Sequence, residues 1–169
     1  SMRCVICVSI SLGAAPGCEM VTSAAGKSMS GLLLTCIPMK ETLRRIIEIK
    51  RSGQKEIIGF ISDQAPKWNS IHHWCNFFHR ETPVFIGTEK IGKQVDALIY
   101  YAEVKRIKRG YYHCQFKPIT HDVKQIPDYE LTDTFTHLLE QTIKGQPAFW
   151  LWSHKRWKRT KEEWIKRQK

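Results

Sequence analysis

Residues 56–66 read Glu56-Ile-Ile-Gly-Phe-Ile-Ser-Asp-Gln-Ala-Pro66, and this stretch indicates the fold class. Its run from 57 to 61 is short, apolar and rich in β-branched residues, which predicts a buried strand that Pro66 prevents from continuing. Asp63 and Gln64 follow at the carboxyl end of the strand, where ligands bind in open α/β sheets. They are therefore candidate site residues. The alternative is that Asp63 only caps a turn or a following helix.

The segments on either side alternate between strand and helix periodicity. We predict further strands at 84–86, 95–104 and 111–117, and helices at 38–51, 87–93 and 129–144. Between these elements we predict an aromatic loop at 67–79 and a strongly basic hairpin tip at 105–110. This alternation predicts an α/β fold with a mixed central sheet of at least four strands and flanking helices.

Length and charge limit the classes of function. The 169 residues suffice for one domain, and the 27 Lys and Arg against 16 Asp and Glu give a net charge of +11. Such an excess indicates an anionic partner, namely nucleic acid, an anionic membrane surface or a phosphorylated substrate.

No apolar run reaches the roughly 18 residues that span a bilayer. The six cysteines, at 4, 7, 18, 36, 75 and 114, are not spaced like a small disulfide scaffold and are interpreted as mostly reduced thiols.

The chain divides into three parts by composition. Residues 1–36 carry few charges and are of uncertain origin, although 5–12 is apolar enough for a strand. Residues 37–160 form the main domain, and residues 161–169 form a basic helix or tail. The His and Cys of the loop at 67–79 lack the spacing of a zinc site, and no metal site is predicted.

Tryptophan and basic residues alternate near the C-terminus. Four of the six tryptophans fall at 150, 152, 157 and 164, among many Lys and Arg. This pattern is typical of a membrane interface or of a nucleic-acid surface.

Several blocks together resemble a known family. They are Ile37-Pro-Met-Lys-Glu-Thr-Leu-Arg-Arg45, Gly59-Phe-Ile-Ser-Asp-Gln64, Phe77-Phe78, Thr82-Pro83 and Pro147-Ala-Phe-Trp-Leu-Trp-Ser-His-Lys-Arg-Trp-Lys-Arg159. From about residue 37 the chain resembles the bacterial lipid A biosynthesis acyltransferases, a branch of the lysophospholipid acyltransferase superfamily, in their Bacteroidetes-like form. The resemblance implies a glycerolipid-acyltransferase-like fold at the cytoplasmic face of the inner membrane. It also implies transfer of a fatty acyl chain from an acyl-carrier protein or coenzyme A thioester to a hydroxyl of a lipid A precursor.

The chain departs from the family at its catalytic motif, His-x4-Asp/Glu, in which the His is the general base. The residues five positions beyond the seven histidines are not acidic; they are Phe77, Phe78, Val84, Pro118, Ile126, Thr142 and Arg159. No catalytic residue is therefore assigned, and it stays open whether the chain is an enzyme by itself. We expect it to correspond to the C-terminal half of the family's domain, incomplete at the N-terminus.

The resemblance also implies site residues. Asp63 and Gln64 match the family's strand-end Asp-Gln, and His154, Arg156 and Lys158 match its C-terminal basic motif, so these five are expected to bind an anionic glycolipid head group. A second set is expected to face the membrane surface: Trp150, Trp152, Trp157 and Arg159.

No cofactor is expected, since the acyl thioester is a co-substrate. The expected partners are an anionic glycolipid, the membrane surface and acyl-carrier protein, and not nucleic acid. Two competing classes are a nucleic-acid-binding module, which charge and aromatic content alone support, and a non-catalytic lipid-binding remnant, which the missing motif alone supports.

Overall fold

Strands alternate with helices through the computed structural model, which describes residues 5–9, 20–25, 33–53 and 57–168. In chain order the elements are β1 (Val5–Ser9), β2 (Met20–Ala25), β3 (Leu33–Pro38), α1 (Thr42–Ser52), β4 (Ile57–Ile61), β5 (His73–Phe77), β6 (Arg80–Val84), α2 (Gly87–Val95), β7 (Leu98–Lys108), β8 (Tyr111–Thr120), α3 (Glu130–Gly145) and α4 (Lys161–Gln168). Short 3-10 helices span Met39–Glu41, Trp68–Ser70 and Pro147–Phe149.

β4, the strand predicted at 57–61, lies in the interior of the main sheet. The described strands of this sheet follow the order β3-β2-β4-β1-β7-β8. β1 runs parallel to both β4 and β7, with Val5 opposite Ile57 and Leu98. The β2–β3, β2–β4 and β7–β8 pairs are antiparallel. The predicted α/β fold with a mixed sheet and flanking helices is therefore confirmed, and the closer likeness to glycerolipid acyltransferases stays a prediction.

The low-charge segment 1–36 contributes strands to this same sheet. β1 lies between β4 and β7, so it occupies an interior position. The strand predicted at 5–12 is observed over Val5–Ser9, and positions 10–12 lie outside the described residues. Three parallel strands, β4, β1 and β7, thus present their carboxyl ends at one edge of the sheet.

A separate two-stranded sheet, formed by β5 and β6, corrects two sequence predictions. The strand predicted at 84–86 is wrong, because Val84 ends β6 and pairs with β5 outside the main sheet. The segment predicted as a loop at 67–79 contains β5. The turn between them is made by Phe78 and His79, whose φ angles are 52° and 59°. Two-residue hairpin turns of this conformation favour Asn and Gly, so these residues gave no turn signal.

The two long predicted helices are observed with small shifts. α1 begins at Thr42 because Pro38, predicted in its first turn, is the last residue of β3. α3 runs over Glu130–Gly145 in place of the predicted 129–144. α3 buries a stripe spaced by four residues, Leu131, Phe135, Leu139 and Ile143, as an amphipathic helix packed on a sheet requires. The short helix predicted at 87–93 corresponds to α2.

Glu89 of α2 caps the start of α3. Its side chain is 4% exposed and its carboxylate accepts hydrogen bonds from the Tyr129 N–H at 2.7 Å and the Thr132 N–H at 3.1 Å. The Thr132 hydroxyl donates to it at 2.7 Å, and Lys93 Nζ lies 3.1 Å away. The first N–H groups of a helix lack partners within the helix, so a buried carboxylate from another element satisfies them.

The β7–β8 hairpin is longer than predicted. Its strands continue to Lys108 and resume at Tyr111, so the basic residues expected in a tip at 105–110 lie mostly on strands. Only Arg109 and Gly110 form the turn, with Gly110 at φ 80°, a conformation that favours glycine.

No helix in the described part of the chain has both the length and the apolar character needed to cross a bilayer.

Candidate functional site

The carboxyl end of β4 is where the sequence places candidate site residues, and the structure buries it. Ser62 and Asp63 are 8% and 3% exposed, and Gln64 is half-buried. The Ser62 hydroxyl lies 3.3 Å from Thr88 Oγ1, at the start of α2. A carboxylate removed from water needs a cation or hydrogen-bond donors beside it. Part of that compensation comes from the C-terminal tail.

Arg156 brings a buried positive charge to the strand end. The residue is 3% exposed, its Nη1 donates to the Pro83 carbonyl oxygen at 2.9 Å, and its guanidinium lies 5.8 Å from the Phe77 ring centroid. Burial lowers the pKa of Arg156 to about 10, while Cys75 and Asp63 oppose that fall. Arg156 therefore stays charged at neutral pH. Its Nε is buried and has no hydrogen-bond partner among the described residues.

Trp157 fixes the tail to the β5–β6 hairpin. Its indole Nε1 donates to Thr82 Oγ1 at 2.9 Å, and its ring lies 6.2 Å from the Phe77 ring. Lys161 pairs with Glu81 on the same hairpin. The predicted loop at 67–79 thus supplies one strand of the platform on which the tail rests.

His154 joins the tail to the strand end directly. The Ala65 N–H donates to His154 Nε2 at 3.4 Å, a contact between residues 89 positions apart in sequence. Burial lowers the pKa of His154. Repulsion from the cations Lys158, Arg156 and Arg159 lowers it further. The imidazole is therefore neutral at pH 7, as an acceptor for a backbone N–H must be.

These contacts border a cleft of about 290 Å³, which we call the tail cleft. Its lining consists of Trp150, Trp152, His154, Lys155, Arg156, Trp157 and Lys158. Indole rings and cations form this lining, and no carboxylate takes part. Such a surface suits an anionic group carried on a larger amphipathic molecule, because guanidinium and ammonium groups bind phosphate oxygens strongly.

The four residues expected at the membrane surface do not share one environment. Trp152 is 53% exposed, whereas Trp150 and Trp157 are half-buried and pack against the core. Arg159 is half-buried, with its guanidinium 5.7 Å from the Trp68 ring centroid. Trp152 alone of these four presents most of its ring to solvent, so the assignment of the set to a membrane stays a prediction.

The five residues expected to bind substrate are partly brought together. His154, Arg156 and Lys158 line the tail cleft. Asp63 is not part of this lining, but its negative charge raises the pKa of Arg156. Sequence reasoning missed that Thr82 and Pro83 receive the tail. The available signal was their place among the blocks that resemble the family, which gave them no stated role.

The family model described as bacterial lipid A biosynthesis acyltransferase matches residues 29–159, which include β4, the β5–β6 hairpin and the tail cleft. No curated protein matches the chain.

Proposed function

The chain belongs to the bacterial lipid A biosynthesis acyltransferase family, and from this premise we propose that it takes part in fatty acyl transfer from a thioester to a hydroxyl of a lipid A precursor. In this proposal the described residues bind the acceptor, and the tail cleft holds its phosphorylated head group. An acyl-carrier protein or coenzyme A supplies the acyl chain. The chain acts as a peripheral protein at the cytoplasmic face of the inner membrane.

One observation carries the proposal: the tail returns to the carboxyl end of β4. The Ala65–His154 hydrogen bond of 3.4 Å and the effect of Asp63 on the Arg156 pKa join the two motifs into one region. A strand end that meets a basic cleft is a suitable place for an anionic ligand, because the ligand gains charge-assisted hydrogen bonds at a rigid edge.

Each residue has a separate part in binding. Lys158 is exposed at the cleft and supplies a mobile ammonium to phosphate. Arg156 is fixed by the Pro83 carbonyl and contributes its positive charge to the cleft lining. The negative charge of Asp63 raises the pKa of Arg156, and the neutral His154 keeps the tail against the strand end.

The proposal assigns no general base. Acyl transfer to a hydroxyl requires a group that takes up the hydroxyl proton. None of the seven histidines stands five positions before an Asp or Glu. We therefore assign acceptor binding and positioning to these residues, and no proton-transfer step. The nucleic-acid alternative gains no support from the family match.

Binding of a bis-phosphorylated diglucosamine glycolipid in detergent micelles tests the proposal. We expect the chain to bind it at least tenfold more tightly than the same glycolipid without phosphates, since hydrogen bonds to charged groups contribute about 1.5–3 kcal/mol each. Lys158→Gln is expected to weaken binding of the phosphorylated form about tenfold.

Lys166→Gln is the matched control, because Lys166 is exposed on α4 in the same tail but outside the cleft lining. It removes the same charge and is expected to change the dissociation constant by less than about twofold. Equal affinity for the two glycolipids, or equal loss from the two lysine substitutions, would show that the cleft does not recognise the head group.

A further inference from the structure

Apart from the tail cleft, one hairpin combines exposed basic residues with large exposed aromatic ones. β1 pairs with β7 only over residues 98–102, so beyond Ala102 the two strands β7 and β8 continue without a further described neighbour. We call residues 103–116 the hairpin arm. At about 3.3 Å per residue, residues 103–108 continue β7 for roughly 20 Å beyond its described pairing with β1.

The surface of the hairpin arm combines large apolar side chains with cations. Ile107 near the tip is 69% exposed, and Tyr111, Tyr112 and Phe116 are each 53% to 61% exposed. Residues 105–117 contain five Lys or Arg and no Asp or Glu. Lys108 Nζ lies 4.2 Å from the Tyr111 ring centroid, so cation and ring form one surface at the tip.

Glu103 partly neutralises the lysine charges at the root of the arm. The cations at the tip of the arm do not pair with Glu103. Glu103 is buried and lies 3.1 Å from Lys105 Nζ and 3.0 Å from Lys117 Nζ. Lys108 and Arg109 at the tip are exposed. The positive charges of the arm that Glu103 does not neutralise therefore include those at the tip, beside the exposed Ile107.

The root of the arm is fastened beside the tail cleft. The Arg106 N–H donates to Gln146 Oε1 at 3.2 Å, and Gln146 Nε2 donates back to the Arg106 carbonyl at 3.3 Å. The Arg106 guanidinium lies 5.0 Å from the Phe149 ring centroid. Phe149 leads along the chain to Leu151 and Trp152, both exposed. The exposed apolar surface thus continues from the arm to the mouth of the cleft.

Large exposed apolar side chains have a solvation cost in water, and clusters of them mark interaction surfaces. Tyrosine rings and cations that flank an aliphatic tip are suited to the interface of an anionic bilayer, where rings lie at head-group level and cations meet lipid phosphates. A nucleic-acid surface has no comparable use for Ile107, the most exposed of these side chains.

We propose that the hairpin arm inserts its tip into the surface of an anionic phospholipid bilayer, and so sets the tail cleft against the membrane. This inference deepens the proposed function, because it names the surface that reaches the lipid. It moves the main membrane contact from the tail, where Trp157 and Arg156 pack on the protein, to the arm.

The test is co-sedimentation of the full chain with phosphatidylglycerol vesicles and with phosphatidylcholine vesicles, neither of which contains a lipid A precursor. At low salt we expect much tighter binding to phosphatidylglycerol vesicles than to phosphatidylcholine vesicles. Lys108→Gln with Arg109→Gln should weaken that binding about 30-fold, since each basic residue near an anionic surface contributes about fivefold. Ile107→Ser should abolish the binding that persists at 1 M salt, where the screening length is about 3 Å.

The matched control is Lys90→Gln with Lys124→Gln, which removes the same charge from exposed positions outside the arm. Its vesicle affinity should change by less than about threefold. Circular dichroism confirms that each variant is folded.

Equal losses of vesicle binding in the arm variant and in the control would overturn the proposal. Unchanged vesicle binding of the arm variant, with loss of single-stranded oligonucleotide binding, would overturn it in favour of a nucleic-acid surface. A negative result in the vesicle experiment does not change the expected result for Lys158→Gln in micelles. Each of the two proposals can therefore be wrong while the other stands.

Discussion

Arg156→Met is expected to lower the free energy of unfolding by about 2 kcal/mol, since leaving a buried hydrogen-bond acceptor without its donor costs about 1–3 kcal/mol. Arg156 is 3% exposed and its charge lies near Asp63, itself 3% exposed. Methionine fills a similar volume but carries no charge, so the Asp63 carboxylate loses the cation behind the cleft. The Pro83 carbonyl also loses its 2.9 Å hydrogen bond. Urea unfolding at pH 7 measures the difference.

A double-mutant cycle separates the charge from the packing. Asp63→Asn should cost less stability in the Arg156→Met background than in the wild type, because the charge of Asp63 acts favourably on that of Arg156. Arg167→Met is the matched control: Arg167 is exposed and its guanidinium lies 4.6 Å from the Trp68 ring centroid, so its loss should cost under about 1 kcal/mol. Additive effects of Asp63→Asn and Arg156→Met would contradict the coupling that this account places behind the cleft.

Glu89→Gln is expected to cost about 3 kcal/mol at pH 7, because hydrogen bonds to a charged acceptor contribute about 1.5–3 kcal/mol each. The Glu89 carboxylate accepts from the Tyr129 N–H, the Thr132 N–H and the Thr132 hydroxyl. An amide offers one oxygen in place of two, and its NH2 group faces an N–H donor. Thermal or urea unfolding measures the loss. Glu130→Gln, at an exposed position in the first turn of α3, is the control and should cost under about 0.5 kcal/mol.

The stability that Glu89 contributes should also depend on pH. Burial raises the pKa of Glu89, but the hydrogen bonds from Thr132, Tyr129 and Lys93 outweigh it, and the net pKa lies below the ordinary 4.5. A carboxyl whose pKa is lower in the folded state stabilises fully above the unfolded value and loses that contribution as pH falls through the folded value. The gap between wild type and Glu89→Gln should therefore narrow below pH 4.5. A gap of constant size across that range would show that charge is not the cause.

Sequence reasoning recovered the elements whose signals are local. The β-branched run at 57–61 identified β4, and the apolar stripe from Leu131 to Thr142 identified α3. The β5–β6 hairpin was missed because its turn is Phe78-His79, residues that rarely adopt a positive φ. A turn held by tertiary contacts, here the Phe78 N–H donating to Glu140 at 3.0 Å, leaves no local pattern.

The sequence selects the residues of the candidate site but does not show their contacts. Arg156 was expected to bind a head group and Trp157 to face the membrane; in the structure Arg156 donates to a carbonyl 73 positions away and Trp157 to a hydroxyl 75 positions away. Tryptophan among basic residues has the same sequence pattern whether the side chains face a membrane or hold a tail on the protein. Glu89 has the appearance of an ordinary helix-surface charge, because the helix start that it caps lies 40 positions further along the chain.

The central claim is that the tail and the carboxyl end of β4 form one acceptor site. The most direct measurement is photo-crosslinking with a bis-phosphorylated diglucosamine glycolipid that carries a diazirine on its head group, followed by peptide mapping. The account predicts adducts within 150–158 and 63–66, which the glycolipid without the diazirine should suppress by competition. Adducts confined to α4 or to the hairpin arm, or adducts that competition does not reduce, would contradict it.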